Sequence, residues 1–421
     1  MLGALNLSIS SLHFSKVLPL TTDTRSSIIS ISAEIKPPSL LRRRFARSFA
    51  VAVSARPVLL LDESMAPIKV GINGFGRIGR LSFRFAWEMP EIEIVHVNEI
   101  MGGSETAAYL VKYDSVHGIW PKEVEPAGSE AFTVDGKTVS FSEEQDFTKV
   151  DWKGKGVELV IACDGVFLTV DQLKPYLDVC GVKRVVVSAP VKEASVLNVV
   201  VGVNDDKLND SHVICTAASC TTNCIAPVIK VIHENLTIEK GMITTVHNIT
   251  GTQSLVDMVN PKKKDLRRAR SGMLNLAPTT TGSATAVAEV FPELKGKLNG
   301  HAIRVPMLNS SITDMVFIVG RDTTAAEVNS MLEAASKPGS PLGEVAGEHG
   351  PILGYETKPL VSTDYCNDAR STIVDAQSTM VVMGNMVKIY AWYDNEMGYS
   401  CRTAELARRV AKQFLSASAV S

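Results

Sequence analysis

Ile68-Lys-Val-Gly-Ile-Asn-Gly-Phe-Gly-Arg-Ile-Gly79 is a short apolar run that breaks into a glycine turn. The run Ile68–Asn73 reads as a buried strand, the stretch Arg77–Trp87 as a helix, and the apolar run Ile92–Val97 as a second strand. Strand, helix and strand within about thirty residues make a βαβ unit, which requires a parallel sheet. Further buried strands are expected at Glu158–Ala162, Arg184–Ser188, Asn198–Val203 and Val213–Thr216, with a helix over Val170–Val179. The fold class this predicts is α/β: a doubly wound parallel Rossmann domain over residues 66–218.

The turn itself carries chemistry. Gly74, Gly76 and Gly79, with Phe75, Arg77 and Ile78 between them, follow a strand and open a helix, and Glu99 ends the next strand. A lone glycine pattern is weak evidence, but this context is the one a dinucleotide site needs. The first glycine makes the tight turn, the second lets the backbone approach a pyrophosphate, and the third lets helix and strand pack closely. The helix N-terminus then offers N–H groups and positive dipole to the phosphates. Glu99 is placed to accept from an adenosine ribose and would repel a 2′-phosphate. NAD is therefore the expected cofactor, with NADP left open because neighbouring side chains can offset one carboxylate.

Past residue 218 the rhythm changes. β-type stretches are expected at Met242–Thr250, Ala302–Pro306 and Ser311–Val319, mixed with helices, one opened by Thr324-Ala-Ala-Glu327 at capping-box spacing. This predicts an α+β catalytic domain with a mixed or antiparallel sheet over residues 219–394. An amphipathic helix at Thr403–Leu415 is expected to pack back, with residues 395–421, on the first domain.

The chain has 421 residues, more than one core usually serves. Its net charge of −2 speaks against a protein built to hold nucleic acid or an anionic membrane surface. No apolar stretch approaches the length needed to cross a bilayer. Seven scattered cysteines without CxxC pairs suggest reduced thiols rather than a disulfide framework. Residues 1–65 differ: they are Ser-rich and acid-poor, with Arg42, Arg43, Arg44 and Arg47. That is the composition of an organelle transit peptide. The plastid (chloroplast) stroma is the preferred destination, and the arginine cluster keeps the mitochondrion open.

Ala218-Ser-Cys-Thr-Thr-Asn-Cys224 comes just after a strand and enters a plausible helix. A cysteine there is expected to have its thiol pKa lowered by the helix N-terminus. Cys224 would be a small buried residue one turn on, because two thiols without matching partners make a poor zinc site; no metal is expected. His247 lies in a β-type stretch and is the candidate partner that a reactive thiol needs. By themselves, Cys220 could equally be core packing and His247 a structural histidine.

Together these residues carry a resemblance. From about residue 66 onward the chain is similar to the phosphorylating glyceraldehyde-3-phosphate dehydrogenases, in a bacterial-like form. The markers are Ile72-Asn-Gly-Phe-Gly-Arg-Ile-Gly79, Tyr113-Asp-Ser-Val-His-Gly118, Ser188-Ala-Pro190, Ala218-Ser-Cys-Thr-Thr-Asn-Cys224, Gly296-Lys-Leu-Asn-Gly300 and Trp392-Tyr-Asp-Asn-Glu396. The resemblance implies that Cys220 attacks the aldehyde of glyceraldehyde 3-phosphate, with His247 as base and oxyanion donor. Inorganic phosphate would then cleave a thioester to give 1,3-bisphosphoglycerate while NAD is reduced. It implies Asn395 and Ser188 at the nicotinamide, and Ser219, Thr221, Thr281 and Gly282 at the inorganic phosphate. Thr250, Thr252, Arg268 and Arg304 would hold the substrate's own phosphate, and the assembly would be a homotetramer. Most of the basic loop (Lys262–Lys264, Arg267, Arg270) reads as a solvated surface, with Arg268 the functional exception.

Some positions depart from the family pattern. Glu99 stands for a usual Asp, Asp164 for a usual Thr near the cofactor, and Met397 for a usual Trp beside Asn395. The Asp257–Asp265 segment is a little longer than usual. Alternative functions are a paralogue acting on erythrose 4-phosphate or using arsenate as acyl acceptor. From another class, the protein could be a non-catalytic moonlighting RNA binder. The Cys220–His247 pair and the full phosphate cradle argue against that last alternative.

Overall fold

The computed structural model describes residues 66–259, 265–343 and 350–418. Residues 1–65, where a transit peptide is expected, and the Lys262–Lys264 part of the basic loop lie outside the described residues. Every residue of Ile68–Asn73 but Lys69 is buried, as a strand covered on both faces must be. It is central in a nine-stranded sheet ordered Leu197–Asn198, Ile214–Thr216, Arg184–Val187, Leu159–Ala162, Ile68–Asn73, Ile92–Asn98, Lys137–Ser142, Ala131–Val134, Val124–Pro126. The first seven run parallel. The last two are antiparallel additions, one joined through an Asp135-Gly136 turn with both φ angles positive, 48° and 76°. That is the dipeptide a two-residue hairpin prefers, and it turns the expected parallel sheet into a mixed one at that edge.

One expected strand is overturned. Asn198–Val203 is not a strand: pairing covers only Leu197–Asn198, and the chain then turns, with Gly202 at φ +81°. The Asn204 side chain accepts from the Val200 N–H at 2.7 Å and donates to the Asn198 carbonyl at 3.0 Å. The apolar run Val199–Val201 is buried all the same. An apolar run alone cannot distinguish a buried strand from a buried turn.

The second sheet has seven strands in the order Ala277–Thr280, Leu298–Arg304, Ile238–His247, Ser311–Val319, Met386–Tyr393, Thr372–Val382, Leu353–Glu356. Its pairings are both parallel and antiparallel. Burial alternates strictly along Ser311–Val319, the mark of a sheet with one face on a core. The helix Cys220–Leu236 covers that face: Val228, Ile229 and Ile232 share a core with Met315, Phe317 and Ile389. The strand expected at Met242–Thr250 begins earlier, at Ile238, and ends at His247, so Thr250 lies in the loop beyond.

The capping box at Thr324 is half-formed. Thr324 accepts from the Glu327 N–H at 3.2 Å, but the Glu327 carboxylate turns to Thr323 at 2.7 Å and Arg321 at 2.8 Å. The final helix spans Met397–Ser418, starting six residues before the expected Thr403. Its Ala404, Ala407 and Val410 join the core that holds Val70, Phe83 and Ile161, and Arg408 pairs with Glu91 at 2.7 Å. The two cores share one border residue of interest: the Cys220 side chain packs against both.

Candidate active site

Strand Ile214–Thr216 reaches the Cys220–Leu236 helix through Ala218, whose φ of 53° is left-handed and costs a non-glycine residue about 1–3 kcal/mol. Two bonds hold it there. Its N–H donates to Thr216 Oγ1 at 3.0 Å, and its carbonyl accepts from the Tyr399 hydroxyl at 3.0 Å. Ser219 is the N-cap, its Oγ accepting from the Thr222 N–H at 3.0 Å. Cys220 is thereby the first residue of the helix.

The expected lowering of its pKa is not the net outcome. Burial pushes the Cys220 thiol up, against the opposing charge of Arg304 and hydrogen bonds from Thr221 and the helix backbone. The expectation weighed the helix entrance alone and omitted the desolvation of the sulfur, which outweighs it. Cys224, one turn on, is fully buried and lies against Thr313 and Thr372 at 3.4 and 3.5 Å, as a small core residue would.

His247 ends the strand that runs beside this helix. Its Nε2 is 3.7 Å from Cys220 Sγ. Burial and the Arg304 charge push the imidazole down to about 3, so it is neutral at ordinary pH. On the other side of the ring, Nδ1 lies 2.9 Å from the Asn248 carbonyl and 2.7 Å from Arg304 Nη1.

Two polar clusters flank the pair. In one, Thr250 and Thr252 hydroxyls are 2.9 Å apart and Arg268 donates to Thr252 at 2.8 Å. Arg268 is only 8% exposed, whereas Arg267 and Arg270 are exposed and paired with Asp265 and Asp257. Burial and the Arg268 charge both depress the pKa of Arg304. Two largely buried guanidiniums that repel one another suit a dianion. In the other cluster, Ser219 Oγ is 3.0 Å from Ser283 Oγ, which accepts from Thr281 at 3.2 Å. Here the N-termini of Cys220–Leu236 and Ser283–Val290 converge, the latter N-capped by Gly282. Thr221 is not drawn into this group: its hydroxyl lies 3.0 Å from that of Tyr393 and also bonds the Cys220 sulfur.

The glycine turn fits a dinucleotide. Gly74 has φ +88°, and a Cβ on Gly79 would stand 2.1 Å from the Gly74 carbonyl, whereas a Cβ on Gly76 would meet nothing. The Arg77–Trp87 helix has no side-chain cap and no acidic residue in its first turn, leaving its N–H groups to an anion. Glu99 accepts from the Phe75 N–H at 2.6 Å and the Ile100 N–H at 2.7 Å, which fixes its carboxylate at the turn. The Phe75 ring is core, 5.5 Å from Phe83, so only its backbone faces the turn. The departure at Asp164 is structural: its carboxylate accepts from the Val166 and Phe167 N–H groups at 2.7 and 3.0 Å.

A cleft of about 280 Å³ joins the two halves, lined by Arg77, Ile78, Ser188, Cys220, His247, Thr250 and Asn395 among others. Sequence reasoning missed several residues that hold it. Ser311 accepts from the Asn248 N–H at 3.2 Å and donates to Asn395 Oδ1 at 3.0 Å, tying the His247 strand to Asn395. Arg77 bridges Asp114 and Glu396, and Glu396 also meets His117 at 2.9 Å. The signals were present in Tyr113–Gly118 and Trp392–Glu396, two of the marker motifs, but spacing gives no hint that they meet. Among the described residues no three His, Cys, Asp or Glu side chains gather as a metal site requires.

Comparison with known proteins agrees with this architecture. Residues 68–170 match the family model for the NAD binding domain of glyceraldehyde 3-phosphate dehydrogenase, and residues 219–395 match that for its C-terminal domain. Glyceraldehyde-3-phosphate dehydrogenase 3 of Nostoc sp. is 56% identical over 345 residues, 82% of this chain and 98% of the relative. Glyceraldehyde-3-phosphate dehydrogenase 1 of Bacillus subtilis is 46% identical over 83% of this chain and 99% of its own length, as is the enzyme of Geobacillus stearothermophilus. With a Rossmann-like sheet, a separate mixed sheet and a Cys–His pair on the cleft between them, the chain belongs to the glyceraldehyde-3-phosphate dehydrogenase family and uses NAD.

Proposed function

We propose that the enzyme carries out the glycolytic oxidation of glyceraldehyde 3-phosphate to 1,3-bisphosphoglycerate, with NAD and inorganic phosphate, through a thioester on Cys220. The observation that carries the residue assignment is the 3.7 Å approach of Cys220 Sγ to His247 Nε2, on a cleft that Arg77, Ser188, Thr250 and Asn395 also line. Arg268, Arg304, Thr250 and Thr252 hold the substrate phosphate and set the aldehyde carbon beside Sγ. His247 Nε2 takes the thiol proton as Sγ attacks, and the imidazolium then donates to the oxyanion, giving a thiohemiacetal. His247 next removes the hydroxyl proton as the thioester forms, while NAD, when bound, supplies the two-electron acceptor at its nicotinamide ring. Asn395, held by Ser311, and Ser188 position that ring. Inorganic phosphate, held by Ser219, Thr281, the Gly282 backbone and Ser283, attacks the thioester carbon. The tetrahedral adduct expels the Cys220 thiolate, which takes the proton that His247 removed from the thiohemiacetal hydroxyl. Thr221, bonded to the sulfur, eases that departure.

The domain division we propose is residues 66–218, joined by the C-terminal segment from residue 395, and residues 219–394; the separate sheets within the two spans support it. Residues 1–65 serve as a plastid transit peptide: the relatives are covered over 98–99% of their length by 82–83% of this chain, so the extra length belongs to this chain. The assembly is a homotetramer, a reading supported by the exposed apolar side chains Leu255, Val256, Leu266, Leu274 and Leu276. Light scattering on the purified enzyme checks the mass.

The reaction is tested by following NADH formation with and without phosphate. Sustained turnover indifferent to phosphate overturns the phosphorolysis step, and ample activity in Cys220→Ser overturns the thioester.

A further inference from the structure

Asn395 is held from three directions. Its own Oδ1 accepts from Ser311 at 3.0 Å, and each of its neighbours in the chain is clamped. Asp394, 1% exposed, uses both carboxylate oxygens. Oδ1 accepts from the Glu396 and Met397 N–H groups at 2.9 and 2.8 Å. Oδ2 accepts from Asn309 Nδ2 at 2.7 Å and from the Asn367 N–H at 2.8 Å. On the other side, the Glu396 carboxylate meets Arg77 and His117.

His117 joins the two clamps. Its side chain has no exposed surface. Nε2 is 2.9 Å from Glu396 Oε2, and Nδ1 is 2.7 Å from Oδ1 of Asn367, the residue whose N–H bonds Asp394. Its main chain is fixed as well, because Asp114 Oδ1 accepts from the Val116 and His117 N–H groups at 2.9 Å each. The arrangement does not depend on the charge of the ring. An imidazolium donates to both partners. A neutral ring donates from Nε2 and accepts at Nδ1 from the Asn367 amide turned the other way round, since a primary amide offers a donor and an acceptor.

Glu396 carries the constraint to the glycine turn. Arg77, the first residue of the helix that follows it, gives Glu396 its Nε and Nη2 and gives Asp114 its Nη1. Asp114 thereby anchors both Arg77 and the turn that presents His117. Arg77, Asn395 and Glu396 line the cleft that holds Cys220, while His117 stands behind them.

We propose that His117 is a positioning residue for the nicotinamide end of the cofactor. Wedged between Asn367 and Glu396, it sets the path of the Asp394–Glu396 segment and so the direction in which the Asn395 amide faces the ring. A side chain at 117 that bonds neither partner leaves Glu396 to follow Arg77 alone, and the segment carrying Asn395 loses its fixed path. The adenosine and pyrophosphate end, held at the glycine turn and Glu99, keeps its contacts, because Arg77 stays anchored by Asp114. This inference rests on the assignment of Asn395 and the glycine turn to the cofactor made above.

The test is calorimetric titration of the full-length enzyme and its variants with NAD and, separately, with ADP-ribose, which has the adenosine and both phosphates but no nicotinamide. His117→Leu should weaken NAD binding roughly two- to thirtyfold, the range for residues that touch neither ligand nor reacting atoms, and leave ADP-ribose unchanged. Asn367→Gly removes the support on Nδ1 while suiting the left-handed φ of 69° at that position. It should show the same selective loss, and it decides the matter if His117→Leu does not fold. Asn395→Ala is the reference for a lost nicotinamide contact. Equal losses for the two probes, or no loss of NAD, in the His117 and Asn367 variants overturn this inference alone when Asn395→Ala is selective. If Asn395→Ala weakens NAD no more than ADP-ribose, the nicotinamide-site assignment falls and this inference with it.

Discussion

Cys220 Sγ and His247 Nε2 stand 3.7 Å apart, and enclosure moves their proton affinities in opposite directions. The thiol is pushed up and the imidazole down to about 3. Enclosure thus works against charge on both members, and the charge of Arg304 works for it on the sulfur and against it on the ring.

That relationship predicts a large effect on the first chemical step. His247→Asn keeps a polar side chain but removes the base, and acylation should slow by about 10²–10⁴-fold. The readout is the first-turnover burst of NADH in stopped flow, with Cys220→Ser as the zero. A burst of wild-type speed in His247→Asn would falsify the base assignment.

Acid sensitivity follows from another enclosed histidine. His96 lies between Ser140 at 2.8 Å and Ser142 at 2.9 Å, and burial lowers its pKa from 6.5 to about 4. Between those values the unfolded chain binds the proton and the folded chain does not, so stability rises with pH across that window and falls on acidification. A shift of this size corresponds to something on the order of 3 kcal/mol. His247 contributes with the same sign. His117 has the opposite sign: its pKa is raised, although burial opposes this, by its bond to Glu396. Its contribution is present below the unfolded pKa and lost as pH rises through the folded one. Urea midpoints from about pH 4 to 7 should show a flatter acid slope in His96→Gln than in wild type. Identical slopes would remove His96 from the account.

The two arginine classes in one short segment make a sharp contrast. Arg268 is buried and bonded to Thr252, while Arg267 sits exposed on Asp265. Arg268→Ala should lower kcat/KM for glyceraldehyde 3-phosphate by roughly ten- to a hundredfold, the worth of charged hydrogen bonds of about 1.5–3 kcal/mol. Arg267→Ala should change it little, since exposed pairs contribute about 0–1 kcal/mol. Equal losses in the two variants would mean that net charge, not the buried fork, recruits the substrate.

Why Arg268 was legible in the sequence and Ser311 was not is a matter of what spacing encodes. The glycine turn, the Cys220 helix entrance and the βαβ rhythm are local, set by residues a few positions apart, and the structure repeats them nearly residue for residue. Arg268 and His247 could be named through the family resemblance. Ser311 acts on Asn395 across 84 positions, and Arg77 reaches Glu396 across 319, separations that only strand order brings together. The net pKa of Cys220 was illegible for a related reason: the dipole at a helix entrance is local, while the burial that outweighs it comes from two cores meeting at one side chain.

Ser283 offers the cleanest separation of the two phosphate clusters. Its hydroxyl stands 3.0 Å from Ser219 Oγ and accepts from Thr281, at the entrance of its own helix, with no direct bond to Thr250, Thr252, Arg268 or Arg304 among those described. Ser283→Ala removes one neutral hydrogen-bonding group, worth about 0.5–1.5 kcal/mol. The expected outcome is a two- to tenfold higher KM for inorganic phosphate with the KM for glyceraldehyde 3-phosphate unchanged. The first-turnover burst should keep its rate, because acylation precedes phosphate attack, while steady-state turnover falls at low phosphate. A rise confined to the aldehyde KM would mean that the clusters have been assigned the wrong way round.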